Sequence, residues 1–226
     1  MKSNKKTGRF VGILFLLIFA TGIVVYQFLQ GPILFSDDSL TNTSTNSNKI
    51  IISTLLLFLS SITSVVIATI LLPIFKKYSI TMAFLYLAFS ILSFIVISID
   101  NINVLSMLEI SLEYSKNGTG NSDILNTLGN VFYKKHWWSH YLSLLISCFP
   151  VFILYYVLFI SKLIPKIISI VGIIAVILMF IEILFSVFGN SISMNMLLPI
   201  GLIQLILPIW LVLKGLNSSV LETEMN

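Results

Sequence analysis

Two histidines, His136 and His140, lie four residues apart in Lys134-Lys135-His136-Trp137-Trp138-Ser139-His140. If a helix runs through them, both imidazoles share one face, a spacing that suits two ligands on a single metal. Residue 137 is Trp, so the pair is not the zincin pattern, which needs Glu after the first His. A third ligand would have to come from elsewhere in the chain, with Glu182 or Asp100 as the available carboxylates. The plainer reading, which the sequence favours, is two solvated interfacial imidazoles. Trp137 and Trp138 beside them, with Lys134 and Lys135, form a membrane-interface anchor.

Glu182 is the sharpest single residue. It stands in Met179-Phe180-Ile181-Glu182-Ile183-Leu184, an otherwise apolar run. An ionised side chain at the centre of a span costs about 2.5–3.5 kcal/mol on insertion scales, so such a group faces the bundle and finds a partner or stays protonated. It is a candidate for a proton, cation or substrate site, or a protonated group bonded to a neighbouring Ser or backbone atom. Gln204 sits between Pro199 and Pro208. It can bond across helices or line a ligand path, while the prolines can simply kink the helix; Pro150 has the same two readings. Ser53, Ser60, Ser64 and Ala68 share a face that reads as helix packing. Asp100, followed by Asn101 and Asn103, reads as a solvated helix end.

The elements that must carry these residues follow from composition. Of 226 residues, 57% are hydrophobic and 10% charged, and the mean hydropathy is +1.03. A soluble domain has about a quarter of its residues charged, so a soluble globular enzyme is excluded, as are a disordered chain and a disulfide scaffold; the single Cys148 has no internal partner. A helix needs about 20 apolar residues to cross a bilayer. Six runs meet or approach this, at residues 10–29, 50–75, 80–99, 139–160, 167–188 and 196–213. None alternates like a barrel strand. The expectation is an all-α polytopic membrane protein: one integral domain over 1–226, a six-transmembrane-helix bundle. The first apolar run is too long for a cleaved leader.

With the N-terminus in the cytoplasm, the inner segments hold nine of the 13 basic residues, including Lys5, Lys6, Arg9, Lys76, Lys77, Lys162, Lys166 and Lys214. That bias predicts both termini cytoplasmic. Lys76-Lys77-Tyr78-Ser79 and residues 161–166 read as tight inner turns. Residues 30–49, with their Thr/Asn/Ser run at 41–48, read as a solvated, mobile loop. Before the fourth span, Ile124, Leu125, Leu128, Val131 and Phe132 make one apolar face behind Asp123. That predicts a short interfacial amphipathic helix lying on the membrane surface. Residues 116–121 read as a flexible link.

Several stretches together resemble a known family. Arg9-Phe10-Val11-Gly12-Ile13-Leu14 opens the first span, and His136 precedes an apolar run reaching Leu163-Ile164-Pro165-Lys166. Glu182 follows in the next span, and Trp210-Leu211-Val212-Leu213-Lys214-Gly215-Leu216-Asn217 closes the last. Over about residues 7–217 this resembles the bacterial multi-pass membrane family DUF4386. The resemblance implies six spans in the cytoplasmic membrane and no named activity. By it, His136 takes the place of a family histidine and Glu182 that of a family acid. Tyr86 stands where relatives tend to carry a basic residue, and Gln204 where they tend to carry an acid. Both halves of a structural ion pair would then be replaced here together, because losing one partner alone strands a charge.

No phosphate-binding glycine loop, nucleophile elbow or Cys pair is present. The favoured class is therefore a non-enzymatic binding or accessory protein of the bacterial cytoplasmic (inner) membrane. The alternatives are a small transporter with Glu182 as coupling group, and an intramembrane metal-dependent enzyme using His136, His140 and Glu182. No cofactor is expected. The expected partners are the lipid bilayer and a protein or small hydrophobic ligand, with an oligomer left open and no nucleic acid.

Overall fold

A computed structural model describes residues 2–36, 39–117, 122–190 and 194–217. The elements are α1 (Lys2–Ile23), a π-helical turn (Val24–Leu29), α2 (Gly31–Leu34), α3 (Ser39–Thr45), α4 (Ser47–Phe75), α5 (Ile80–Asn117), α6 (Ser122–Ser161), α7 (Lys166–Val187) and α8 (Met194–Lys214). The described residues contain no strand. Six helical stretches are long and apolar enough to cross a membrane, from Lys5–Leu34 to Asn195–Lys214. The chain is an all-helical, multi-pass membrane protein, and a lipid bilayer is its environment.

The short turns end helices as their residues dictate. After α4, the Lys77 and Tyr78 amides bond back to the Ile74 and Phe75 carbonyls, and Ser79 Oγ accepts from the Met82 amide to start α5. Lys162 takes φ 53° between α6 and α7, and Pro165 stands at the N-cap of α7, where its missing N–H costs no helical bond.

One loop expectation is corrected. Residues 39–45 and 47–49 are helical, with a turn at Asn46, rather than a mobile loop. The hydroxyls and amides that suggested a loop bond back along the helix: Ser44 and Thr45 to the Thr41 carbonyl, and Asn46 to the Asn42 carbonyl. The segment also docks, because the Ser111 hydroxyl donates to the Leu40 carbonyl and Ser115 bonds Ser44. Gly129 supplies the room, since a Cβ there would lie 2.3 Å from the Leu40 side chain.

The amphipathic stretch before the fourth span does form helix, but it is the first part of α6 and not a separate surface helix. Residues 102–117 likewise continue α5. No proline falls between 100 and 117 or between 122 and 149 to stop either helix. At 38 and 40 residues and about 1.5 Å per residue, α5 and α6 run to nearly twice a hydrocarbon core of roughly 30 Å. Of the expected flexible link, residues 118–121 lie outside the described residues, as do Asp37 and Asp38.

The chain divides into two compact units. Unit one comprises residues 1–19, 63–93 and 144–226, and unit two comprises 20–62 and 94–143. Unit one packs apolar side chains such as Ile67, Leu71, Phe75, Tyr155, Leu158, Ile203 and Leu207. Unit two has its own apolar cluster of Ile33, Leu34, Ile50, Val104, Met107 and Leu108, with Phe132 and Tyr133 against it.

Candidate functional site

Unit two gathers a polar centre on α5 and α6. Asp100, Asn101 and Asn103 are buried, and so is His136. This corrects the solvated helix end and the solvated His136 expected from sequence. The reason is the helix extension: α5 and α6 both continue past this level, so the groups are covered by neighbouring turns and not left at a helix terminus.

The geometry converges on one carboxylate. His136 Nδ1 lies 2.8 Å from Asp100 Oδ1, and His140 Nδ1 lies 3.5 Å from Oδ2. The Ser139 hydroxyl donates to Oδ1, and Asn103 Nδ2 donates to Ser139 Oγ at 2.9 Å. Asn101 Nδ2 reaches the Thr54 carbonyl of α4 at 3.3 Å. Residues 136, 139 and 140 lie on one face of α6 because i, i+3 and i+4 share a face. Several donors aimed at one carboxylate favour its ionised form.

An ionised carboxylate only accepts, so the bonded Nδ1 of His136 carries the hydrogen. Its Nε2 is then left to act as an acceptor when neutral or a donor when protonated. This is the orienting arrangement a carboxylate imposes on a working imidazole. Neither histidine's Nε2 has a hydrogen-bond partner among the described residues. The two rings lie 5.7 Å apart, and the edge of Tyr26 meets His140 at 5.7 Å.

Trp137 and Trp138 pack edge to face at 4.8 Å, and Trp137 lies 4.5 Å from Tyr141. Trp138 is exposed, as are Lys134 and Lys135. Lys135 lies over the Phe132 ring.

The other candidates belong to unit one. Glu182 is buried on α7, and its carbonyl accepts from the Ser186 hydroxyl. Gln204 is on the exposed face of α8, while Tyr86 is buried against Phe75 at 5.5 Å. Among the described residues no group of three or more His, Cys, Asp or Glu side chains is placed to hold a metal ion. The carboxylate beside the histidine pair is Asp100, which engages both Nδ1 atoms. Asp100, Asn103 and Ser139 were missed as a set because α5 and α6 are joined only by their fold. The one local signal was the acid and two amides, Asp100, Asn101 and Asn103, inside an apolar pattern.

Membrane helices and a buried Asp–His centre define a class, a polytopic membrane protein with a polar site in its helix packing. Residues 10–215 match the family described as Domain of unknown function (DUF4386). The chain belongs to that family. No curated protein and no solved structure matches it.

Proposed function

We propose that the chain is a non-enzymatic binding protein of the cytoplasmic membrane, with Asp100, His136 and His140 as its binding centre. The observation that carries this reading is the carboxylate held between two Nδ1 atoms. It bonds the His136 ring by its Nδ1, keeps the His140 Nδ1 within 3.5 Å, and leaves each Nε2 for a ligand. A buried carboxylate needs hydrogen bonds to offset its desolvation, and the Ser139 hydroxyl, itself bonded by Asn103, supplies one without using either Nε2. The positive-inside bias supports a reading with both termini in the cytoplasm and this centre toward the opposite face.

The test is a native mass spectrum of the gently solubilised chain beside the His136→Ala/His140→Ala double variant. Retained ligand mass in the wild type, lost in a double variant with unchanged helix content, is the expected result. Equal ligand retention in both proteins removes this centre from the function. A second reading, a small transporter, is favoured by the burial of Glu182. It requires Glu182→Gln to abolish proton or cation flux in liposomes while the fold survives.

A further inference from the structure

Three segments meet at one end of unit one. α1 begins beside the close of α8: a Cβ at Gly215 would lie 2.6 Å from the Lys5 carbonyl oxygen, and one at Gly8 would clash with the Leu216 nitrogen. Gly215 also takes φ 72°, a conformation that strains other residues, so the junction needs glycine on two counts. The turn between α6 and α7 joins them, because the Asn217 amide donates to the Leu163 carbonyl at 2.8 Å. All three segments belong to unit one.

Each segment brings exposed cations: Lys5, Lys6 and Arg9 from α1, Lys162 and Lys166 from the turn and the start of α7, and Lys214 from α8. The positive-inside bias accounts for their number. It does not account for gathering them through backbones in contact, where like charges repel. Arg9 has a local use, since one guanidinium nitrogen donates to the Leu213 carbonyl, and Lys166 lies over the Phe159 ring. Among the described residues none of the six has a carboxylate partner. Two further acids of this chain end, Glu222 and Glu224, lie outside the described residues. An external anion would offset the repulsion.

The surroundings point to the kind of anion. Exposed Phe10 follows Arg9, exposed Ile167 follows Lys166, and exposed Leu213 precedes Lys214. Each helix end thus carries a cation beside a large apolar side chain, at the level where a spanning helix leaves the hydrocarbon. A soluble anion would use the charges alone, whereas a lipid with an anionic head uses both. We propose that this junction is a binding site for an anionic phospholipid. The lysines and Arg9 take its phosphate, and Phe10, Ile167 and Leu213 lie along its acyl chains. Lys and Arg are charged throughout the neutral range, so the site is cationic without any change of protonation. It is separate from the Asp100 centre, which belongs to unit two.

The experiment titrates the full chain in a neutral detergent with phosphatidylglycerol, phosphatidylcholine and inorganic phosphate, and reads bound mass by native mass spectrometry. Saturable phosphatidylglycerol binding is expected, with phosphatidylcholine and phosphate each at least about tenfold weaker. Lys5→Gln/Lys214→Gln should weaken phosphatidylglycerol about tenfold at unchanged helix content. Lys162→Gln/Lys166→Gln repeats the test from the third segment. Lys76→Gln/Lys77→Gln, the charge-matched control on the α4–α5 turn, should stay within about twofold of the wild type. Wild-type affinity in both of the first two variants overturns the site, and so does an equal loss in all three, which would reveal a diffuse surface field. Phosphatidylcholine as tight as phosphatidylglycerol overturns the charge argument. Phosphate as tight overturns the lipid assignment in favour of a free anion. His136→Ala/His140→Ala should keep phosphatidylglycerol; its loss there would move the lipid to unit two, overturning this inference and leaving the binding reading in place. Phospholipid kept by both proteins therefore reports this junction and not the Asp100 centre.

Discussion

Helices meet in two different ways in the two units. In unit two, α5 and α6 are tied by polar side chains, with the Asp100 carboxylate receiving His136 and Ser139. In unit one, α1 and α8 meet where side chains are missing. A Cβ on Gly8 would lie 2.4 Å from the Leu216 amide nitrogen, and one on Gly12 would lie 2.9 Å from the Pro208 carbonyl and the Val212 nitrogen. Gly215, at φ 72°, ends α8 and bonds the Leu211 carbonyl, while Arg9 reaches the Leu213 carbonyl at 3.3 Å. Close backbone packing through small residues is how helices associate when lipid removes the hydrophobic drive between them. A buried carboxylate with its hydrogen-bonded partners is a poor substitute for that, because desolvation offsets much of the attraction. The contrast argues that unit one's contact is kept for stability and unit two's centre for something else.

The largest effect should follow from removing the carboxylate from the Asp100–His136 hydrogen bond. Asp100→Leu strands the histidines and should cost about 3–5 kcal/mol, the usual penalty for an uncompensated buried partner. The comparison becomes sharper with the joint variant Asp100→Leu/His136→Leu. It should recover most of that stability in detergent unfolding while losing the ligand. A joint variant as unstable as the single one would show the centre to be structural, like the glycine contact.

Next comes the glycine contact itself. Gly12→Leu forces a side chain against α8 backbone, and overpacking of this kind costs about 1–3 kcal/mol. The thermal midpoint should fall and ligand retention in the surviving folded fraction should hold. Gly172→Ala, whose Cβ would meet the Tyr155 ring at 2.3 Å, should behave alike. Loss of ligand in either variant at full helix content would join the two regions into one functional unit and erase the contrast.

The same contrast explains what could be read in advance. The six spans were legible because an apolar run of about 20 residues has few other uses. The shared face of His136 and His140 was legible from their spacing, but the burial of His136 was not, since the Trp and Lys residues beside them point to a solvated interface. The burial of Asp100 is not legible because the apolar run ends at Ile99, and a polar triplet after such a run has a ready solvated explanation. Nothing local shows that α5 continues or that α6 comes alongside; that is set by tertiary packing. Ser44, Thr45 and Asn46 suggested a loop since their side chains compete with backbone bonds, yet here they bond within helix and dock on α5. Gly8 and Gly12 carry the small-residue spacing of a helix contact, but that spacing alone does not say which helix they meet.

A smaller effect is expected at Ser139. Its hydroxyl stands between Asn103 and Asp100, and it also lies 3.0 Å from the His136 carbonyl. Ser139→Ala removes one donor from the carboxylate but leaves His136 Nδ1 in place, so the loss should be about 1 kcal/mol, the net worth of a typical bond. Asn103→Leu should do the same through Ser139. Combined, the two should cost little more than either alone, because both act on one chain of bonds.

The smallest effect marks the edge of the comparison. Gln204 is polar, mid-helix and in unit one, yet it is exposed on α8, where Ile203 and Leu207 beside it are buried. Gln204→Leu should change the unfolding free energy by less than about 0.5 kcal/mol, the range of substitutions away from packed or polar features. In lipid it should be neutral or slightly stabilising, since an amide facing hydrocarbon is replaced by an apolar side chain. A loss above about 1 kcal/mol would mean that Gln204 meets a polar partner in the membrane, through a second chain or a ligand. Unit one would then hold a polar contact of its own, and the division between a packing region and a chemical region would fail at that position.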